Sequence, residues 1–113
     1  MASKQSTVDF ILGQIAGAGS LASRRMFGEF AIYCDGKVVG FVCDDELFIK
    51  PTPAGRTLLA DRLDEAPPYP GAKLYLRVAG EDWDDRESMT ELVRATAASL
   101  PPPAAKKSKS RQR

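Results

Sequence analysis

The sequence contains no histidine. This removes Ser–His and Cys–His nucleophile pairs, the commonest general base and most zinc sites. Cysteine is nearly missing: Cys34 and Cys43 are the only two, and their spacing is not the close CxxC of a metal or redox motif. No apolar run approaches the roughly 20 residues that span a bilayer. The start, Met1-Ala2-Ser3-Lys4-Gln5-Ser6, holds no apolar stretch of a secretory leader. Phosphate-binding glycine loops and internal repeats are also missing from the sequence. The expectation is a cytoplasmic protein with no membrane contact, no metal and no cofactor.

What is present fits one soluble domain. The 113 residues are 43% hydrophobic and 27% charged, enough to bury a core without a disulfide or structural metal. The net charge of +1 is unevenly placed: Lys106, Lys107, Lys109, Arg111 and Arg113 fill the tail, which leaves −4 on residues 1–105. A domain with an acidic body does not grip phosphates through its folded surface. If nucleic acid binds, the tail is the expected contact, with salt-sensitive and sequence-independent affinity.

Residues 24–50, RRMFGEFAIYCDGKVVGFVCDDELFIK, organise the chain. Phe30, Ile32 and Cys34 alternate with Ala31 and Tyr33, and Asp35-Gly36 is a strong two-residue hairpin signal. That turn predicts Ile32 opposite Val39 and Phe30 opposite Phe41. A three-residue turn at Asp44-Asp45-Glu46 then keeps Leu47 and Ile49 on one core face with Val39, Phe41 and Cys43. In this register the two cysteines share a face but lie too far apart for a disulfide. A short strand over 23–27, bending at Gly28, enters the meander, and Pro51 ends its last strand.

Helices flank it. Val8, Ile11, Leu12 and Ile15 predict one over 5–17, with Ser6 or Thr7 accepting its first amides and Asp9 in its first turn. Thr52 is placed to cap a second helix starting at Pro53, with Leu58, Leu59 and Leu63 as its apolar side. After a loop at Ala66–Gly71, Leu74, Leu76 and Val78 predict a strand over 73–78. Met89, Leu92, Val93, Ala97 and Leu100 predict a closing helix over about 85–100. Pro101-Pro102-Pro103 ends the domain at about residue 100, and the 101–113 tail is expected to be disordered. The fold class is therefore α+β: an antiparallel sheet, a meander plus one additional strand, with helices packed on one face.

Three blocks carry a resemblance: Arg25-Met26-Phe27-Gly28, then Tyr33-Cys34-Asp35-Gly36-Lys37, then Asp45-Glu46-Leu47-Phe48-Ile49-Lys50. In this order and spacing they resemble the N-terminal domain of the TfoX/Sxy family, named for a bacterial regulator of competence. Family members often carry a second glycine after Arg-Met-Phe-Gly, where this chain has Glu29. The chain is similar to the stand-alone N-terminal type. Its second half also resembles the MmcQ/YjbR group of small α+β proteins suspected of binding DNA, in a strand ending in Lys before a helix, a Pro/Gly loop, a strand and an acidic helix start.

The resemblance implies a regulatory or adaptor domain, linked to transcription, that binds rather than catalyses. Its candidate binding residues are Arg24, Arg25, Met26, Phe27, Gly28 and Lys50. The expected partner is a protein, with the domain a monomer or homodimer. The alternative is weak nucleic-acid binding by the basic tail. An enzyme needs a cofactor that nothing in the sequence announces. Among the bland readings, one of Arg24 and Arg25 is expected to pair with Asp44, Asp45 or Glu46. Trp83 is expected to cap the core, and both cysteines to be buried apolar side chains.

Overall fold

Alternating residues of the central stretch do form strands, and the helical patterns on either side cover them. The computed structural model describes residues 3–26 and 29–101. Helix α1 (Gln5–Gln14) leads through a 3₁₀ turn into β1 (Leu21–Met26), β2 (Glu29–Cys34), β3 (Lys37–Cys43) and β4 (Glu46–Ile49). Helix α2 (Pro53–Leu59), β5 (Glu65–Ala66), β6 (Tyr75–Val78) and α3 (Arg86–Ser99) complete the order. The six strands form one antiparallel sheet, β1-β2-β3-β4-β6-β5. The fold is α+β. Gly28, the expected bend, and the tail residues 102–113 lie outside the described residues.

Asp35 and Gly36 both take positive φ, 53° and 82°, the conformation of a two-residue hairpin turn. Beyond it the register departs from the simple expectation. Tyr33 pairs with Val38, but Ile32 pairs with Gly40 and Phe30 with Val42, so Val39 is an extra bulged residue. The next turn corrects in the opposite sense. It holds two residues, not three, because Asp44 and Asp45 both adopt positive φ and Cys43 pairs with Glu46. The two departures cancel for Leu47 and Ile49, which face the core as expected. They do not cancel for Phe41 and Cys43, which move to the outer face.

The inner face carries Phe30, Ile32, Cys34, Val39, Val42, Leu47, Ile49, Leu76 and Val78. Against it pack Val8, Ile11 and Ile15 from the first helical segment, Leu59 from α2, and Met89, Leu92, Val93 and Ala97 from α3. Thr52 Oγ1 accepts the Gly55 amide at 2.9 Å, and Asp85 caps α3 through the Ser88 amide at 3.2 Å. Trp83 sits at the core margin and donates Nε1–H to the Val78 carbonyl at 3.1 Å. Four expectations shift. Helix α1 stops at Gln14 rather than residue 17. Ala60, at φ 51°, ends α2 before Leu63, which is 39% exposed. Pairing of the late strand begins at Tyr75, which leaves Leu74 in solvent, and β5 occupies the start of the expected loop.

The start of α1 is held from outside. Neither Ser6 nor Thr7 caps it; the N-cap residue is Lys4, which supplies no side-chain bond. Instead Asp45 Oδ1, in the β3–β4 turn, accepts the Lys4 amide at 2.8 Å and the Thr7 hydroxyl at 3.0 Å. Asp9, outside the first turn, accepts from Gln5. Ser3 continues the clasp, donating its amide to Glu29 Oε1 at 3.1 Å and accepting the Asp45 amide on its hydroxyl at 3.0 Å. Glu29 also takes the Asp44 amide at 3.2 Å. The Glu29 carboxylate thus ties Ser3, ahead of α1, to a hairpin turn.

Two outcomes follow from this architecture. A Cβ at residue 40 meets the Phe48 carbonyl and the Ile49 Cα, backbone atoms that cannot rotate away. Gly40→Ala therefore lowers stability by about 3 kcal/mol or more, read by urea denaturation, whereas Gly13→Ala, with open space around its Cβ position, does not. The hydrogen bonds from Lys4 and Thr7 hold the Asp45 carboxyl below its ordinary range. A depressed folded pKa gives stability that is present above the unfolded value, near about 4, and lost as pH falls through the folded value. Asp45→Ala is accordingly less stable than the parent at neutral pH, and acid melts show that deficit shrinking below pH ~4.

Candidate functional site

Among the described residues the β1 strand lies at the sheet edge, paired with β2 alone. The Asp35 amide donates to the Ser20 carbonyl at 2.8 Å, which sets the phase of the ladder. Alternation then turns the amides and carbonyls of Ala22, Arg24 and Met26 toward β2, and those of Leu21, Ser23 and Arg25 outward. The six residues carry an exposed Arg24-Arg25-Met26 run, and neither arginine makes an ion pair among the described residues.

The arginine pairing expected with the acidic turn is not found. Asp45 is taken by the Lys4 amide and the Thr7 hydroxyl, and Glu46 meets Arg77 at 3.8 Å instead. Arg77 is the better partner because β6 lies directly beside β4 and sets Arg77 opposite Phe48. Its guanidinium also bonds Asp64 at 2.8 Å, so Glu46 and Asp64 share this one cation at the polar groove of about 440 Å³ beside it. Arg25 instead lies over the Phe30 ring, 5.1 Å from its centroid.

Successive pairings set Arg24, Ala31, Phe41, Phe48 and Arg77 in one row across the outer face. Met26 pairs with Glu29 in the next row. This face is not plain solvent surface. Ala31, Cys43 and Phe48 are buried, and Phe41 packs against Tyr75 with ring centroids 5.6 Å apart. Pro68, in the loop before β6, is buried too. Between that loop and the sheet runs an apolar groove of about 410 Å³, lined by Met26, Phe41, Cys43, Pro68 and Tyr69 with Glu29 and Phe30 at its margin. Tyr69 and Met26, 56% and 37% exposed, form its rim.

Of the residues singled out from sequence, Arg24 and Met26 share the outer face at this groove, whereas Arg25, paired with Phe30, lies on the other face of the same edge strand. Lys50 is not brought close. It follows β4, three strands across, or roughly 14 Å at ordinary strand spacing. Phe27 and Gly28 lie outside the described residues, as do Lys106, Lys107, Lys109, Arg111 and Arg113. The groove residues Phe41, Cys43, Pro68 and Tyr69 were not foreseen as a group. The signal was Gly40, since an isolated glycine inside a strand pattern marks a bulge that reverses the faces.

The Cys34 and Cys43 thiols are both free and buried, and the bulge puts them on opposite faces rather than one. Burial, with Glu29 and Asp44 nearby, pushes Cys43 up to about 11, so its reactive thiolate is scarce at neutral pH. Burial raises Cys34 as well, and its Sγ contacts the Ala18 carbonyl at 3.7 Å. No group of three His, Cys, Asp or Glu side chains converges for a metal among the described residues.

Comparison with known proteins agrees with the three sequence blocks. A 12.7 kDa protein from Spirochaeta aurantia, named only as uncharacterized and in the trpE 5' region, is 40% identical over 111 residues, 98% of this chain and 95% of that one. The family model described as "TfoX N-terminal domain" matches residues 13–100, from within α1 to the end of α3. The chain belongs to the TfoX N-terminal domain family.

Proposed function

We propose that this domain is a regulatory adaptor that works by binding a protein partner, in a process tied to transcription, and not by catalysis. The observation that carries this reading is the exposed Arg24-Arg25-Met26 edge beside an apolar groove. Exposed arginine and methionine next to buried aromatics is the composition of a protein-recognition surface. Family membership supports the regulatory part, since the family takes its name from a competence regulator. The sequence-level alternative, nucleic acid on the basic tail, rests on the five positive charges after Ala105.

A capture experiment separates the two. The intact chain, an Arg25→Glu variant and a chain lacking residues 104–113 are used to retrieve partners from cell lysate. Arg25→Glu forfeits a cation–π contact worth about 0.5–1 kcal/mol, so the variant remains folded by circular dichroism. The adaptor reading predicts one specific protein retained by the intact and tail-less chains and lost with Arg25→Glu. Capture of nucleic acid alone, abolished by high salt and by tail removal, contradicts it.

A further inference from the structure

We propose that β1 is a docking edge for an extended segment of the partner protein, which joins the sheet as a seventh strand. That segment carries an acidic residue opposite Arg24 and an apolar residue two positions away, opposite Met26. The inference rests on the protein-binding reading and states the form of the partner.

Three features at one edge converge. First, Leu21, Ser23 and Arg25 direct their backbone groups away from β2, a row of donors and acceptors along a six-residue strand. Unpaired edges of this kind accept added strands through main-chain bonds. Second, Arg24 and Arg25 give that row positive charge. The carboxylates at the two ends of β2 are engaged elsewhere, Glu29 by the Ser3 and Asp44 amides and Asp35 by the Ser20 amide. In the added ladder Arg24 falls at a non-hydrogen-bonded position, where facing side chains come closest. Third, Met26 shares the outer face with Arg24 and forms the rim of the groove that runs to Phe41 and Tyr69. A side chain opposite Met26 therefore enters an apolar site, and the one opposite Arg24 meets a cation.

Charge argues against a second copy of this chain as the occupant. Two β1 edges joined with the same face outward set the two Arg24 residues opposite, or one diagonal step from, each other, and like charges oppose pairing there. The far edge fits no better. The β5 strand has two residues, and its neighbouring carboxylates are spent on Arg56–Glu65 at 3.0 Å and Arg77–Asp64 at 2.8 Å. An acidic, extended segment from another protein meets both requirements.

The test uses the full chain and a fluorescein-labelled peptide, Thr-Leu-Thr-Glu-Thr-Leu-Thr-Glu, followed by anisotropy at low salt. A lysine-for-glutamate version and two versions N-methylated on alternate residues are the controls. The expected result is binding about tenfold or more tighter than the lysine peptide, with one methylation phase tolerated and the other abolishing it. Ser23→Pro removes an outward amide while leaving the β1–β2 ladder whole, and weakens binding about tenfold or more. Arg24→Glu reverses the preference to the lysine peptide, a gain that misfolding does not produce. Absence of binding, equal affinity for both peptides, insensitivity to Ser23→Pro in a folded chain, or a dimer that Ser23→Pro dissociates each overturns the proposal. If the peptide result is negative while capture still depends on Arg25, the docking edge fails and the adaptor reading stands.

Discussion

One extra residue in β3 governs the outer half of the molecule. Because Val39 bulges between the pairings of Tyr33 and Ile32, the strand turns over partway along its length. Val39 and Val42 both reach the core, and Phe41 and Cys43 are sent outward. The outer face acquires an apolar strip that a one-faced sheet does not have. Pro68 and its loop cover part of that strip, and the uncovered remainder is the groove beside Met26. Gly40 makes the arrangement feasible, since any side chain there collides with the β4 backbone.

A second constraint directs the described N-terminal segment away from this edge. The N-terminal segment is drawn to the β3–β4 turn by Ser3, Glu29 and Asp45, and α1 then crosses the inner face. It covers the core without laying its chain along β1. Edge strands with exposed charged residues resist indiscriminate pairing, and arginines do so while admitting an acidic partner. Phe30 and Ile32 fix the strand pair from the core, whereas Arg24 and Met26, the residues of the proposed docking edge, face outward.

Much of the fold was legible from periodicity. Leu92, Val93 and Ala97 at helical spacing, the Asp35-Gly36 turn and the Thr52-Pro53 cap each produce the element they predict. The misses have physical causes. Two aspartates at positive φ made a shorter turn than sequence suggested, because Asp tolerates the left-handed region better than most residues. The Val39 bulge reversed the faces, and period-two reading cannot locate such an insertion without weighing Gly40. The cap on α1 came from Asp45, 41 residues from Lys4, a distance no local pattern spans. For the site, Arg24 to Met26 were visible as residues, but their shared groove with Tyr69 depends on tertiary placement of the loop. Lys50 belonged to the same set of candidate residues yet lies three strands away.

The central claim is that β1 is a paired strand on one side and an open edge on the other. Native-state amide hydrogen exchange of the isolated chain, resolved by NMR, tests it residue by residue. The account predicts alternation, with Ala22, Arg24 and Met26 amides protected and Ser23 and Arg25 exchanging fast. Uniform protection along β1 contradicts it by showing an edge already covered. Uniformly fast exchange contradicts it by showing that the strand is not paired.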